Sequence, residues 1–343
     1  MRRMLNTLFV MTEGAYLRKA GESVVVSVGK EVKLRLPIHN LGGITCFGRA
    51  ICSPGLLGLC AARGVALSFL SPNGRFVAKV HGPTSGNVLL RKEQYRRADE
   101  PFASVPVAKS IVLAKVSNCR TSLQRGIRDH GEKGVSAGIE NTVKSLGNQL
   151  QEIKSEKDID RIRGYEGYAA RCYFGIFNEL ITAQKESFVF DGRTRRPPRD
   201  PVNALLSFVY ALVLHDVISA LETVGLDPQV GFFHRLRPGR PSLALDLMEE
   251  FRPVLADRLV LSLINLRQVD PGGFSKAESG GVRIDDETRK AVLTAYQKRK
   301  QDEIIHPFLE EKIPFGMAYF AQALLMARFL RGDLDGYPPF FWK

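Results

Sequence analysis

The sequence predicts an α+β protein, with a small amino-terminal β-sandwich-like domain followed by a larger all-α domain. Three observations carry this. Residues 4–80 hold short runs rich in Val, Ile, Leu and Phe separated by turn residues, which is strand patterning. From about residue 101 the apolar residues recur at helical spacing instead. Between them, HGPTSGNVLLRKEQYRRADEP at 81–101 has the Gly, Pro and charge content of a linker. The expected division is therefore a β domain over 1–80, a linker over 81–101 and a helical domain over 102–343.

Taken in order, MRRMLNTLFVMTEG opens with too brief an apolar run for a signal peptide. It meets Thr12, Glu13 and Gly14 without a small-residue cleavage motif, so it reads as a first strand. Further strands are expected at Ser23–Val28, Val32–Leu36, Val65–Leu70 and Phe76–Val80, with SPNG at 71–74 as a tight hairpin connection. One short helix intervenes, capped by Ser53, with Pro54 in its first turn and Gly64 at its end. Amphipathic helices then follow near 103–126, 133–153, 156–185, 201–225, 242–266, 286–310 and 315–331, with no strand signal among them. In the third of these, Ser155 and Asp158 have capping-box spacing, and Ile159, Ile162, Ala169, Tyr173 and Ile176 form the apolar stripe. The tail GYPPFFWK is too apolar for a solvated end and is expected to pack on the helical domain, with Trp342 as an anchor.

With 343 residues, 44% of them apolar, the chain can bury two cores. Forty-nine Lys and Arg against 36 Asp and Glu give a net charge of +13, which favours a polyanionic partner, nucleic acid first. No segment approaches the roughly 20 apolar residues of a spanning helix. The longest run, Ala204–Leu214, is interrupted by Ser207, so no membrane is expected. The five cysteines, Cys46, Cys52, Cys60, Cys119 and Cys172, are odd in number and form no CxxC, as for reduced thiols in a cytoplasm.

Chemistry concentrates in GFFHRLRPGRPSLALDLMEE at 231–250. A helix is expected over Leu243–Phe251, with Pro241 or Ser242 at its start. The i,i+3 spacing of Asp246 and Glu249 stacks both carboxylates on one face. Two like charges that close want a cation, and His234 in the Gly/Pro-rich approach can complete a mixed nitrogen and oxygen set. Such a set suits Mn²⁺ or Mg²⁺ better than structural zinc. The competing reading of the pair is a solvated helix face. Glu166, on the apolar stripe of its helix, is the third carboxylate, since a charge on a buried face is costly unless paired or metal-bound. Basic residues cluster nearby, in Arg161 and Arg163, in DGRTRRPPRDP at 191–201, and in Arg235, Arg237 and Arg240. Arginine grips phosphate oxygens bidentately, although 193–199 reads equally as a solvated loop. His39, His81, His130, His215 and His306 stand alone and read as surface or satisfied core residues.

RGYEGYAARCYF at 163–174, DPVNALLSFVY at 200–210 and GFFHRLRPGRPSLALDLMEEFRP at 231–253, in this order, resemble the CRISPR-associated integrase and endonuclease family, the first and most widespread Cas protein. LGGITCFGRAICSPGLLGLCAARGVALSFLSPNGRF is similar to that family's small β domain, and the subtype resembled is that of type I-C systems. The resemblance implies a metal-dependent DNA transesterase that joins a DNA 3′ hydroxyl, inserting spacers taken from protospacer DNA into the repeat and leader of a CRISPR array. This is antiviral defence. It further implies a homodimer through the β domain and a small second Cas protein as partner. Carried over, the family's metal-binding glutamate falls on Glu166 and its histidine on His234. The third ligand, usually an aspartate, is held by Glu249, with Asp246 one turn earlier as a helper; the choice between these two stays open, Glu249 favoured. Arg163, Arg235, Arg237 and Arg240 are the expected DNA contacts, and one metal is expected. Tyr165 positions the strand or packs, and is no covalent nucleophile. Two other functions share these features, a structure-selective metal nuclease on branched DNA and a non-enzymatic DNA-binding scaffold.

Overall fold

The computed structural model describes residues 7–71, 76–80, 82, 88–130 and 137–342. Most of the SPNG turn, His81 and the side chain of His130 lie outside them. The chain divides into two compact units, one of Met1–Gly86 with Leu293–Gln301, the other of Asn87–Val292 with Asp302–Lys343.

The first unit holds eight described strands, β1 (Thr7–Val10), β2 (Ala15–Ala20), β3 (Ser23–Val28), β4 (Glu31–Pro37), β5 (Gly43–Phe47), β6 (Ile51–Cys52), β7 (Ala66–Leu70) and β8 (Phe76–Val80). They form two sheets, ordered β1-β5-β7-β8 and β4-β3-β2-β6. Strands β1, β5 and β7 run parallel, Thr7 opposite Gly43 and Gly43 opposite Ala66. The second sheet is antiparallel apart from the short β2–β6 pairing. The helix α1 (Pro54–Arg63) supplies the crossover between β5 and β7. Ser53 caps it by accepting from Leu56 N, and Gly64 ends it at φ 64°. One apolar core joins both sheets and the helix, through Val10, Leu17, Val24, Ile44, Leu56 and Leu67. The sandwich-like arrangement follows because each sheet has one apolar face to bury.

The second unit is helical, with α2 (Val88–Asp99), α3 (Pro101–His130), α4 (Ala137–Ser155), α5 (Ile159–Gly175), α6 (Pro201–Thr223), α7 (Ser242–Met248), α8 (Arg258–Asn265), α9 (Asp286–Gln301) and α10 (Phe315–Arg331). The second half of α9 clusters with the β unit. Several expectations need correction. The stretch read as a linker contains α2, whose polar sequence hides one buried anchor. Gln94 is fully buried and donates to the carbonyls of Asp227 and Val230, each at 2.7 Å. Strands are present in the helical region, as the hairpins β9–β10 (Phe274–Lys276 with Val282–Ile284) and β11–β12 (Glu303–Ile305 with Lys312–Pro314). Three-residue strands alternate too briefly to register as a period. The second hairpin also stops α9 at Gln301, short of 310.

The helix read over 156–185 ends at Gly175, and Ser155 belongs to the end of α4, its hydroxyl donating to Glu152 O; Asp158 alone caps α5. The helix read over 242–266 is broken by a six-residue π-helical segment, Arg252–Asp257, which contains Pro253. Proline removes a helical N–H, and π turns often mark functional sites. Helix α6 is long and apolar enough to cross a membrane, contrary to the sequence reading. It lies mostly buried, with Leu205, Val209, Val213 and Leu221 inside the helical core. The tail packs back as expected, with Phe340 against Phe251 and Trp342 stacked on Phe315 at 5.1 Å.

Candidate metal centre and its cavity

Two segments build the centre around Asp246, which is fully buried on α7. Its Oδ2 accepts from Phe232 N at 2.7 Å and Phe233 N at 2.9 Å, and its Oδ1 accepts from His234 N at 2.8 Å. These bonds wrap the approach loop over the start of α7. Gly231 permits the wrap, since a Cβ there would lie 2.6 Å from Asp246 Oδ2 and 2.7 Å from Leu243 N. The same Oδ1 faces His234 Nδ1 at 2.7 Å. A carboxylate oxygen accepts, so Nδ1 donates to it, and in the neutral ring this leaves the lone pair on Nε2. Asp246 therefore orients the histidine, and its own oxygens are spent on the loop. The solvated-face reading of Asp246 and Glu249 is overturned, because both are buried.

Glu249 follows the last turn of α7, with His234 Nε2 3.9 Å from its Oε1. Arg252 donates to the same Oε1 at 2.6 Å. Lys115, from the middle of α3, places its ammonium 2.6 Å from Glu249 Oε2 and also donates to Glu166 Oε1 on α5. The Lys115 side chain is 9% exposed, Glu249 3% and Glu166 21%. Glu249 Oε2 is a buried oxygen without an aligned hydrogen bond, so its contact with Lys115 is one of charge rather than direction. Burial would raise the Glu249 carboxyl, but the charges of Arg252 and Lys115 pull it down to about 2. Burial would likewise lower the Lys115 ammonium, and Glu249 and Glu166 more than offset this, holding it above its ordinary value. Both groups are ionised at neutral pH.

Glu166 and Glu249, 83 positions apart by 249 − 166, thus meet on one cation, and that cation is Lys115. Among the described residues no three His, Cys, Asp or Glu side chains stand close enough to grip a metal ion as they are arranged. By chemistry the donors fit a divalent ion: two carboxylates, one with a buried oxygen lacking an aligned partner, and an imidazole nitrogen held in the ligating tautomer.

A cavity of about 370 Å³ opens from the Lys115 side, lined by Lys115, Arg171, Arg193, Arg195, Arg252 and Tyr210 among others. Its one acidic lining residue, Asp257, accepts from Tyr210 Oη at 2.6 Å. Burial raises the Asp257 carboxyl to about 6, against hydrogen bonds from Tyr210 and Tyr173 and the charges of Arg252 and Arg193 that lower it. The guanidinium carbons of Arg193 and Arg252 lie 5.2 Å and 4.9 Å from the Tyr210 ring centre, within cation–π range. Arg193 is further fixed by Asn203 Oδ1 at 2.6 Å and Ser207 Oγ at 3.2 Å. The loop at 191–200 therefore holds one arginine in a defined place, while Arg195, Arg196 and Arg199 stay exposed.

Sequence reasoning missed Lys115, Arg252, Tyr210 and Asp257. A signal for the first existed, a lone lysine inside the apolar run IVLAKVSNC. Of the expected DNA contacts, Arg163 is engaged in the loop itself, donating to Phe233 O at 2.8 Å and 3.1 Å and to Asp160 at 2.6 Å. Arg235 reaches Asp160 at 3.1 Å and is exposed, as is Arg237, with Arg240 half-buried beside them. Tyr165 is half-buried next to Glu166.

A family model described as CRISPR associated protein Cas1 matches residues 8–298. The chain is 51% identical over 343 residues to the CRISPR-associated endonuclease Cas1 1 of Chlorobaculum tepidum, with all of both chains covered. Among solved structures, a casposase bound to integration product aligns at a TM-score of 0.84 and 20% identity, covering 99% of this chain and 95% of that one. A Cas6-RT-Cas1–Cas2 complex aligns at 0.80 and 21%, covering 98% of this chain and 36% of that one. At such identities the structural likeness speaks for the fold.

Proposed function

The chain belongs to the CRISPR-associated Cas1 family, and on that footing we propose that its metal-dependent DNA chemistry runs at Glu166, His234 and Glu249. It is an endonuclease and integrase of CRISPR adaptation, acting on DNA with a Cas partner. The observation that supports the site is the meeting of Glu166 and Glu249 on one cation, with the free Nε2 of His234 3.9 Å from Glu249. When bound there, Mg²⁺ or Mn²⁺ supplies Lewis acidity to the scissile phosphate and to the leaving oxygen.

The chain's own residues do the rest. Asp246 holds the His234 tautomer, and Arg252 keeps Glu249 ionised and aimed. The arginines of the cavity, with Arg235, Arg237 and Arg240, neutralise phosphate around the reacting centre. No side chain is needed as nucleophile, because the 3′ hydroxyl of the incoming strand attacks in integration and water attacks in cleavage. The homodimer is assigned to the β unit, where the edge strand β4 exposes Val32 and Leu34. The bridging partner is a small second Cas protein. The type I-C assignment rests on the resemblance of the sequence blocks, and a neighbouring repeat array and its gene set test it.

Alanine at Glu166, His234 or Glu249 is expected to abolish both joining and cleavage while DNA affinity stays near wild type. The assay supplies a duplex donor with a 3′ hydroxyl and a supercoiled target, so joined and cut products separate on one gel. Full activity in any of the three variants removes that residue from the site.

A further inference from the structure

Lys115 stands where two functions meet. Its ammonium bridges the two glutamates, and its side chain also lines the arginine-rich cavity. An ammonium 2.6 Å from Glu249 Oε2 and a divalent ion held by the same carboxylates would compete for one place, and they repel each other as well. Metal loading must therefore move the ammonium. Lys115 is held by its hydrogen bond to Glu166 and the charge of Glu249, but four rotatable carbons carry its ammonium, so a stronger cation at the carboxylates can turn it aside.

We propose that Lys115 is a tethered cation that keeps the metal's place between Glu166 and Glu249, and that its displacement into the arginine-lined cavity couples metal binding to the binding of a DNA phosphate. The inference rests on the assignment of the metal to Glu166, His234 and Glu249. The cavity makes the coupling obligatory. Its wall already carries Arg171, Arg193, Arg195 and Arg252, and its single carboxylate, Asp257, is engaged by Tyr210. A displaced ammonium there adds positive charge to a positive surface unless an anion enters with it. A backbone phosphate is such an anion, and arginine and lysine side by side hold it by fork and point charge. Metal thus creates a phosphate site, and by reciprocity phosphate strengthens metal binding. Without DNA the lysine competes with the metal, and the carboxylates stay neutralised.

The test measures Mn²⁺ affinity by electron paramagnetic resonance on full-length wild type, K115M and E249A, with and without a duplex blocked at both 3′ ends, the duplex alone serving as blank. In wild type the duplex is expected to tighten Mn²⁺ binding about tenfold, within the usual range of coupling between sites. K115M, lacking the competitor, is expected to bind Mn²⁺ about tenfold tighter than wild type without DNA and to respond little to the duplex. Equal or weaker Mn²⁺ binding by K115M, or an undiminished response to the duplex, overturns the proposal. Should K115M be unfolded without metal, its recovery of a cooperative melt in Mn²⁺ supports the proposal, and failure to recover overturns it. E249A decides the underlying site separately, since wild-type Mn²⁺ affinity in that variant removes the metal from Glu249 whatever Lys115 does.

Discussion

Asp246 and Glu249 look interchangeable by their i,i+3 spacing, yet burial and partners give them different work. Asp246 spends its oxygens on three backbone N–H groups and the His234 ring, whereas Glu249 turns its carboxylate to Lys115, Arg252 and the free face of that ring. Asparagine at 246 keeps one acceptor oxygen and turns an NH₂ group toward donors. D246N is therefore expected to weaken Mn²⁺ binding about 10–100-fold, the usual effect of losing a ligand's orienting carboxylate, and to lower the melting temperature too. A titration followed by calorimetry reads both, and unchanged affinity with unchanged stability would contradict this role. A carboxylate on an apolar stripe and a histidine before an acidic helix are local patterns, which is why the sequence could offer Glu166 and His234 as candidates. Lys115 was not one of them. Its meaning depends on which two glutamates α3 faces, and those lie 51 and 134 positions away, by 166 − 115 and 249 − 115.

At the level of elements, capped helices and long strands were readable, and short or interrupted ones were not. α1 falls where its end signals put it and α10 over its expected 315–331, while α2 was masked by a polar sequence and β9–β12 by their brevity. The carboxyl-terminal tail was readable as apolar, but its lock was not. Glu250 is fully buried, with Tyr337 Oη donating to one oxygen at 2.7 Å and Gln322 Nε2 and Phe340 N to the other at 2.9 Å and 2.7 Å. Asn118 of α3 adds bonds to Phe340 O and from Trp342 N. Burial raises the Glu250 carboxyl to about 8, although those donors pull the other way. In the unfolded chain it titrates near its ordinary value of about 4.3. Between these values the folded chain keeps a proton that the unfolded chain releases, so stability is full below about 4.3 and falls as pH rises toward 8. One proton corresponds to at most about 1.4 kcal/mol per pH unit. Glutamine stays uncharged throughout, and its amide oxygen can accept from Gln322 Nε2 and Phe340 N as the carboxyl oxygen does. E250Q is expected to flatten the fall by about one proton's slope across that window, read from urea midpoints at several pH values. Parallel curves for the two proteins would show that Glu250 is ionised in the fold.

For the whole molecule, the net charge of +13 agrees with a polyanionic substrate but names none; membership of the family does that. The proposed pairing of two chains through the β unit rests on the exposed Val32 and Leu34 of an edge strand. Asp at both positions is expected to turn a dimer into a monomer in sedimentation without changing Mn²⁺ affinity. A dimer that survives V32D/L34D would move the pairing surface elsewhere. A change of periodicity near 81–101 is readable in the sequence, because strands repeat every two residues and helices every 3.6. What no periodicity reveals is that the chain returns, Leu293–Gln301 completing the β unit long after its strands have ended. The path therefore crosses between units three times, after Gly86, after Val292 and after Gln301. Genes that recombine at one crossover can exchange the β unit only by parting it from that returning segment of α9. Every hybrid made at a single junction near residue 86 would carry the strands of the β unit from one parent and its last helical turns from another.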